Sequence, residues 1–517
     1  MKSLVLLLAL VGAPNEEVKL LHTEVDAVGW AFAALMEYPE ADRPFIRFVY
    51  LPPYADPEWI NVANYAVNMA CNHSRNLHRG RLHAGGWLLS YDMRALAPDP
   101  KKQALLIQTW DSLAARSSKF HVPDINTTGS VAILAPHLQA ALAVSVDKDY
   151  PDQRLDALVT QMTSSTGAIY PADFLIEQLL TSLVGKYPEF RQMDGAPKAG
   201  TAFQNLLSEY GFYFESSRDL GGDKGALIFI SDVTGKGRLV MTTYGLTSRQ
   251  PLTVTFDIKD ARIRPDEQFV RNLLEFDALT DAKESFVPRP DGLIDCVLVD
   301  GKGNLQRAAP PDIVADSTKP DGHTKQLEMA MSCIICHADQ DGYRTAKNDM
   351  EFLIRSKVDF FGDATEITTF DGTKKQLTKQ EAVEMVTGRY GERIDDPDGI
   401  LGRARRDYIR AVDLITDYDP TSADSSVKQV GNKIKSIYHT YRYGRIDAER
   451  ACLELGVKVS KDKALEVLNK LVPDLPAGSQ EDVMIPLLKG GAEIRRDDFN
   501  AIYVEMARRS METRKGL

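Results

Sequence analysis

The sequence predicts a multidomain α+β protein: a mixed α/β N-terminal domain, a β-rich middle, a helical third segment and a helical C-terminal tail. Three observations carry this. A chain of 517 residues with 44% hydrophobic and 26% charged side chains has the composition of globular domains and the length for several cores. The spacing of its apolar residues changes from helical to alternating near Gly222, and back again beyond Pro310-Pro311. All four Trp residues (Trp30, Trp59, Trp87 and Trp110) fall near the start, which gives the N-terminal part its own character. These shifts place domains at 15–190, 200–318, 319–420 and 427–512.

In the first domain, Glu16–Glu37 is apolar at helical spacing. Ile46–Leu51 is short, β-branched and aromatic, and is stopped by Pro52-Pro53, which predicts a strand. Pro57–Arg75 reads as a helix and Trp87–Met93 as a strand; Leu138–Val146, Leu155–Met162 and Phe174–Val184 read as helices. In the second domain, Ala226–Ile230, Arg238–Tyr244, Leu252–Ile258 and Ile294–Val299 alternate with period two. Gly-Asp and Gly-Lys-Gly turns between them predict a mostly antiparallel sheet.

Beyond a linker at Lys319-Pro-Asp-Gly322, Gln326–Ser332 is helix-forming. A Thr378-x-x-Glu381 capping box opens a second helix ending near Gly388, and Leu401–Ile415 forms a third with Ala404, Tyr408, Ile409 and Val412 on one face. The tail carries a faint echo: Gly444-Arg-Ile-Asp447 before a helix at Ala448–Leu455, and Gly491 to Asp497 before a helix at Phe499–Arg508. A generic turn, β-branched residue and acidic N-cap explain it more simply than a true repeat.

The pentapeptide Cys333-Ile-Ile-Cys336-His337 carries the most chemistry. C-x-x-C-H is the attachment signature of c-type haem. Two thiols on one helical turn project the same way and can add across two vinyl groups, and the adjacent imidazole can ligate iron from one face. Other readings compete. A thioredoxin-like C-x-x-C needs a strand-to-helix turn in a βαβ unit. A structural zinc site needs four ligands, and no second C-x-x-C or H-x-x-x-H is present. Two buried thiols beside a histidine would leave the order of the residues a coincidence.

Residues 1–13 read as a short signal peptide, with one Lys, an apolar run to Val11 and a small-residue site at Val11-Gly12-Ala13; the other reading is an ordinary N-terminal strand or helix. The run is too short to span a bilayer. Bacterial c-type haems are attached outside the cytoplasm, so both signals point to the periplasm or beyond. A net charge of −11 without a long Lys/Arg cluster argues against a nucleic-acid or anionic-membrane partner. Cys71, Cys296 and Cys452 suggest no disulfide framework and read as small buried hydrophobes.

Several stretches together resemble a known family. Asp291-Gly-Leu-Ile-Asp-Cys-Val-Leu-Val-Asp-Gly-Lys-Gly-Asn304, then Asp312-Ile-Val-Ala-Asp316, Lys319-Pro-Asp-Gly322 and Ser332-Cys-Ile-Ile-Cys-His337 resemble the large secreted cytochrome-c-like proteins of planctomycete bacteria. Weaker echoes lie at Arg47–Asn76, Tyr170–Phe174, Gly444–Gly456 and Gly490–Phe499. The resemblance implies an exported mono-haem protein with Cys333, Cys336 and His337 as its attachment set, and makes 319–420 a cytochrome-c-like haem domain. It implies no substrate.

Function then turns on the opposite face of the iron, where Met or His makes an electron carrier and an open position allows chemistry on a small molecule. Met385 is the first candidate for that distal ligand; packing beside Val383 and Val386 is the other reading. Met350 could face the haem edge, and His323 and His439 are outsiders. His73, His78 and His83, among Arg75, Arg79 and Arg81, read as basic solvated surface rather than a metal site. Asp395-Asp-Pro-Asp-Gly399 reads as a turn, since it lacks the ligand pattern of a calcium loop. The leading expectation is a single-electron carrier with one covalent haem and an unknown redox partner protein. The rivals are a five-coordinate haem enzyme or gas sensor, and a scaffold in which haem is secondary.

Overall fold

A computed structural model describes residues 18–35, 37–70, 76–112, 169–183, 224–228, 238–244, 251–257, 282–289, 291–300, 306, 308–309, 315–342, 364–368, 374–378, 380–381, 400–418, 421–475 and 482–513. The expected signal peptide, the helices at 138–146 and 155–162, Cys71, His73, Met350, Met385 and the turn at 395–399 lie outside these residues. The described residues mix helix and strand, in keeping with the α+β expectation.

The chain does not form one helix over Glu16–Glu37. Strand β1 (Val18–Leu20) pairs antiparallel with β16 (Val457–Val459). The Thr23 amide and hydroxyl then both donate to Asp26 Oδ2, at 2.8 and 3.1 Å, and this capping arrangement starts α1 (Glu24–Leu35). Strands β2 (Ile46–Tyr50), β3 (Arg81–His83), β4 (Leu88–Asp92) and β5 (Ile169–Pro171) form a sheet in the order β3-β4-β2-β5. β5 is parallel to β2 and the other pairs are antiparallel. Period two sorts the side chains: Val49, Leu89 and Tyr91 enter the main core, while Ile46, Phe48 and Tyr50 are buried on the other face, where α1 packs. Helices α2 (Glu58–Ala70), α3 (Met93–Leu96) and α4 (Pro100–Ser112) follow these strands, and α5 (Ala172–Gln178), lengthened by a wider turn over Leu179–Leu183, packs on α2.

A second sheet is an antiparallel meander, β6 (Lys224–Ile228), β7 (Arg238–Tyr244), β8 (Pro251–Asp257), β9 (Ala282–Pro288) and β10 (Ile294–Asp300). Four of its strands fall where alternation predicts them; β9 does not announce itself. The turn between β9 and β10 carries the main anchor between the sheets. Arg289 is fully buried there, donating to the carbonyls of Met69 and Asn68 at 3.0 Å each, and pairing with Asp291 at 2.6 Å and Asp295 at 3.8 Å. The guanidinium thus neutralises two carboxylates and caps the C-terminal, partially negative end of α2.

The two-residue strands β11 (Ala308–Ala309) and β12 (Leu327–Glu328) pair, and lead into α6 (Met331–His337). β13 (Ala364–Thr368) and β14 (Lys374–Thr378) pair antiparallel. At the end of β14 the expected capping box is formed: Thr378 N and Oγ1 donate to Glu381 Oε2 at 2.8 and 2.9 Å. α7 (Ile400–Ile415) buries Ala404, Tyr408 and Val412 against the core, and α8 (Ser426–Tyr443) packs on α2, α5, α6 and α7. The chain ends in β15 (Arg445–Ile446), α9 (Ala448–Glu454), β16, α10 (Lys461–Leu471), α11 (Met484–Lys489), β17 (Ile494–Arg495) and α12 (Arg496–Thr513). Because α12 starts at Arg496, Asp497 lies in its first turn and is not the cap; Asp447 does cap α9, accepting from Arg450 N at 2.9 Å.

Two apolar cores result. One gathers both sheets with α2, α5, α6, α7 and α8; the other gathers α9 to α12. A polar seam joins them: Tyr54 donates to Asp173 at 2.7 Å, Arg450 lies 4.0 Å over the Tyr54 ring, and buried Arg496 holds Glu454 through both guanidinium nitrogens at 2.6 and 2.8 Å. No described helix is long and apolar enough to cross a membrane.

Buried Glu177 on α5 gives the fold a pH dependence. Burial raises its carboxyl from 4.5 to about 6, with Arg442 acting in the opposite direction. The folded state therefore holds this proton more tightly than the unfolded chain does. The stabilisation is full below the unfolded value and is lost as pH rises through the folded one. Relative to Glu177→Gln, the parent is expected to lose about 2 kcal/mol of stability between pH 4 and pH 7. Urea denaturation of both proteins across that range checks it, and parallel profiles would contradict it.

Candidate functional site

The residues before the motif are not helical. Leu327 and Glu328 belong to β12, and Ala330 takes φ 65° and ψ −61° while the Met331 amide donates to the Met329 carbonyl at 2.9 Å. That is a γ-turn, a strained conformation for a residue with a side chain. Helix propensity over Gln326–Ser332 is overridden by the β11–β12 ladder and this reversal. The outcome is that α6 begins at Met331 and the whole pentapeptide sits on one short helix, with its first bond from Ile334 N to Ala330 O at 2.8 Å.

A buried hydrogen-bond unit fixes that start. Ser332 Oγ donates to Asp316 Oδ2 at 2.6 Å and accepts from Glu328 N at 3.0 Å. Asp316 Oδ1 accepts from the Thr318 amide and hydroxyl at 2.9 and 2.6 Å. The carboxylate also lies near the positive end of α6. The Asp and Ser on which part of the family resemblance rests are therefore one physical device, which spacing alone does not reveal.

Beneath α6 lies the five-stranded sheet. Cys333 is 2% exposed, and its thiol donates to Glu284 Oε1 of β9 at 3.3 Å beside Cys296 of β10. The hydrogen bond with Cys296, burial and the Glu284 carboxylate push the Cys333 thiol well above its ordinary range, so it stays protonated at neutral pH. The His337 ring packs on Phe286 of β9, with centroids 4.3 Å apart at 42°. Cys336 and His337 are only half-buried.

Above α6 runs α8. At Gly431 the two helices approach so closely that a Cβ built there would overlap the Cβ of Ala338. The exit from α6 is equally defined. Asp341 and Gly342 have φ 53° and 84°, Gly342 N donates to His337 O at 3.0 Å, and Asp341 accepts from the hydroxyl of Ser425, the N-cap of α8. Tyr438 of α8 donates to Glu328 at 2.6 Å, tying the roof to the strand before the motif.

By residue type and spacing the donor set matches c-type haem attachment, while the Cys333 thiol is turned to Glu284 on the sheet. Two thiols three residues apart on one helical turn are not bridged to each other, and an imidazole follows at the next position. At Cys333 the thioether would use up the S–H now given to Glu284. A thioredoxin-like site has less support, because α6 follows a short antiparallel ladder and a γ-turn. Among the described residues no group of three or more His, Cys, Asp and Glu is arranged to hold a metal ion.

The remaining candidates separate. His323 packs at a tilt on Tyr443, with ring centroids 4.5 Å apart, and His439 lies 5.7 Å from the same ring, its pKa lowered by burial. His83 Nε2 is 2.8 Å from Ser90 Oγ, and the His78 backbone bonds the Asn68 side chain through both its amide and carbonyl. Burial lowers both imidazoles. Arg79 is not simply solvated: it binds the Leu414, Asp413 and Thr416 carbonyls and caps the C-terminus of α7. Cys452 is buried in the second core, its thiol pushed up to about 12 chiefly by burial. Comparison of the chain with protein-family models, with curated proteins and with solved structures finds no match.

Proposed function

We propose that the chain is an exported c-type cytochrome, carrying one covalent haem on Cys333 and Cys336 with His337 as an axial ligand, and passing single electrons to a partner protein. The observation that supports this reading is the ordered pentapeptide on one helical turn, its start held by Asp316 and Ser332. On this reading 319–420 is the haem-bearing segment; its helices α6 and α7 lie in the core shared with both sheets, and it also carries the β13–β14 pair. The mixed α/β, β-rich and C-terminal helical regions around it dock the partner, and residues 1–13 direct export to the periplasm or beyond.

When bound, haem supplies a one-electron couple whose potential depends on the sixth ligand. The chain's own residues do the positioning. Phe286 holds the face of the His337 ring, the Ser332–Asp316 bond fixes the helix start, and the Gly431 contact fixes its depth. Met385 is the candidate for the sixth position.

The test is expression of the full chain in a secretion host that matures c-type cytochromes. An iron chromophore that survives acid–acetone extraction is expected, and is lost in Cys333→Ala/Cys336→Ala. Met385→Ala is expected to shift the reduction potential and remove a thioether–iron band. Carbon monoxide binding without loss of a side-chain ligand would replace the carrier by an open-site haem enzyme or sensor. Absence of any covalent chromophore would overturn the proposal.

A further inference from the structure

The sequence echo in the tail has a structural outcome that the haem reading does not use. Its two turns pair as β15 and β17, with Ile446 opposite Ile494 and Arg445 opposite Arg495. The isoleucines enter the second core, and the arginines point the other way. Both arginines line a cleft of about 660 Å³ between this ladder, the end of α8 and the segment 319–328. That volume suits a small molecule.

The positive charge that reaches solvent in the cleft centres on the exposed pair Arg445 and Arg495. The lining carries five Lys and Arg side chains against three carboxylates, on a chain whose net charge is −11. Lys319 is matched by Glu328 at 3.3 Å, and Arg496 by Glu454 at 2.6 Å. Arg495 has only an exposed Asp497 at 3.7 Å. Arg445 forms no ion pair among the described residues, whereas Arg442 lies in the field of Glu177, Asp497 and Glu328. Like charges directly opposite across a two-strand ladder are unfavourable, and such a break with local rules is expected where a ligand resolves it.

We infer that this cleft binds a small organic phosphate or sulfate ester. Arg442, Arg445 and Arg495 offer forked donors that suit a tetrahedral oxyanion. The His323 and Tyr443 rings, in tilted contact on the same wall, give the organic part an aromatic surface to lie against. The site is separate from the motif triad and its occupancy does not require haem.

The full-length protein can be titrated calorimetrically with sodium phosphate, and separately with sodium sulfate, against sodium chloride at matched ionic strength. Saturable binding of one or both oxyanions, and none of chloride, is expected. A preference between phosphate and sulfate identifies the ester class. Arg445→Gln/Arg495→Gln is expected to weaken binding by about tenfold or more, and Arg442→Gln to weaken it independently, should the double variant not fold. No saturable oxyanion binding by the parent, or undiminished binding in the folded variants, would overturn the assignment.

Discussion

Arg289→Ala is expected to cost about 3–5 kcal/mol of folding free energy, because it leaves two buried carboxylates and two helix-end carbonyls without their cation. Burial already pushes the Asp291 carboxyl up, and Arg289 is the opposing influence that keeps it from rising further. Arg289→Lys keeps the charge and loses the fork that reaches Met69 and Asn68 together, so an intermediate loss is expected. Chemical denaturation of the three proteins at neutral pH measures this. A change below about 1 kcal/mol for the alanine variant would show that water or a neighbouring group replaces the guanidinium.

The second large effect lies at the motif's roof. Gly431→Ala puts a methyl group into the space held by Ala338, and overpacking of this kind costs about 1–3 kcal/mol or more. The distinctive expectation is rescue. Gly431→Ala combined with Ala338→Gly moves the methyl from one helix to the other and should recover most of the loss, less about 1 kcal/mol for glycine in a helical segment. Thermal unfolding of the two single variants and the pair reads the coupling directly. Additive losses would mean that the helices separate rather than clash.

Legibility followed the strength of local signals. β7, β8 and β10 are marked by short runs rich in Val, Leu, Ile and Thr between turn residues. β9 reads Ala-Lys-Glu-Ser-Phe-Val-Pro, with Lys283, Glu284 and Ser285 all buried, so its strand character comes from neighbours on both sides and not from its own pattern. The Thr378–Glu381 cap is a four-residue device and was readable. The run before the motif misleads because Leu327, Glu328 and Met329 favour helix in isolation, while a two-residue ladder and the Ala330 turn hold them extended. At the site, the type and order of Cys333, Cys336 and His337 were visible. Glu284, Cys296 and Phe286 were not, since they reach the motif through sheet pairing across a long stretch of chain.

The helix that roofs the motif comes late in the chain. As the polypeptide emerges N-terminus first, the β-meander and α6 are made before Ser426–Tyr443 arrives to close over Ala338. During that interval the face of α6 that carries Ala338 has no cover from α8. Delivery of the glycine-bearing helix then ends the interval, so the packing of the motif segment is completed only by a helix made about ninety residues after it.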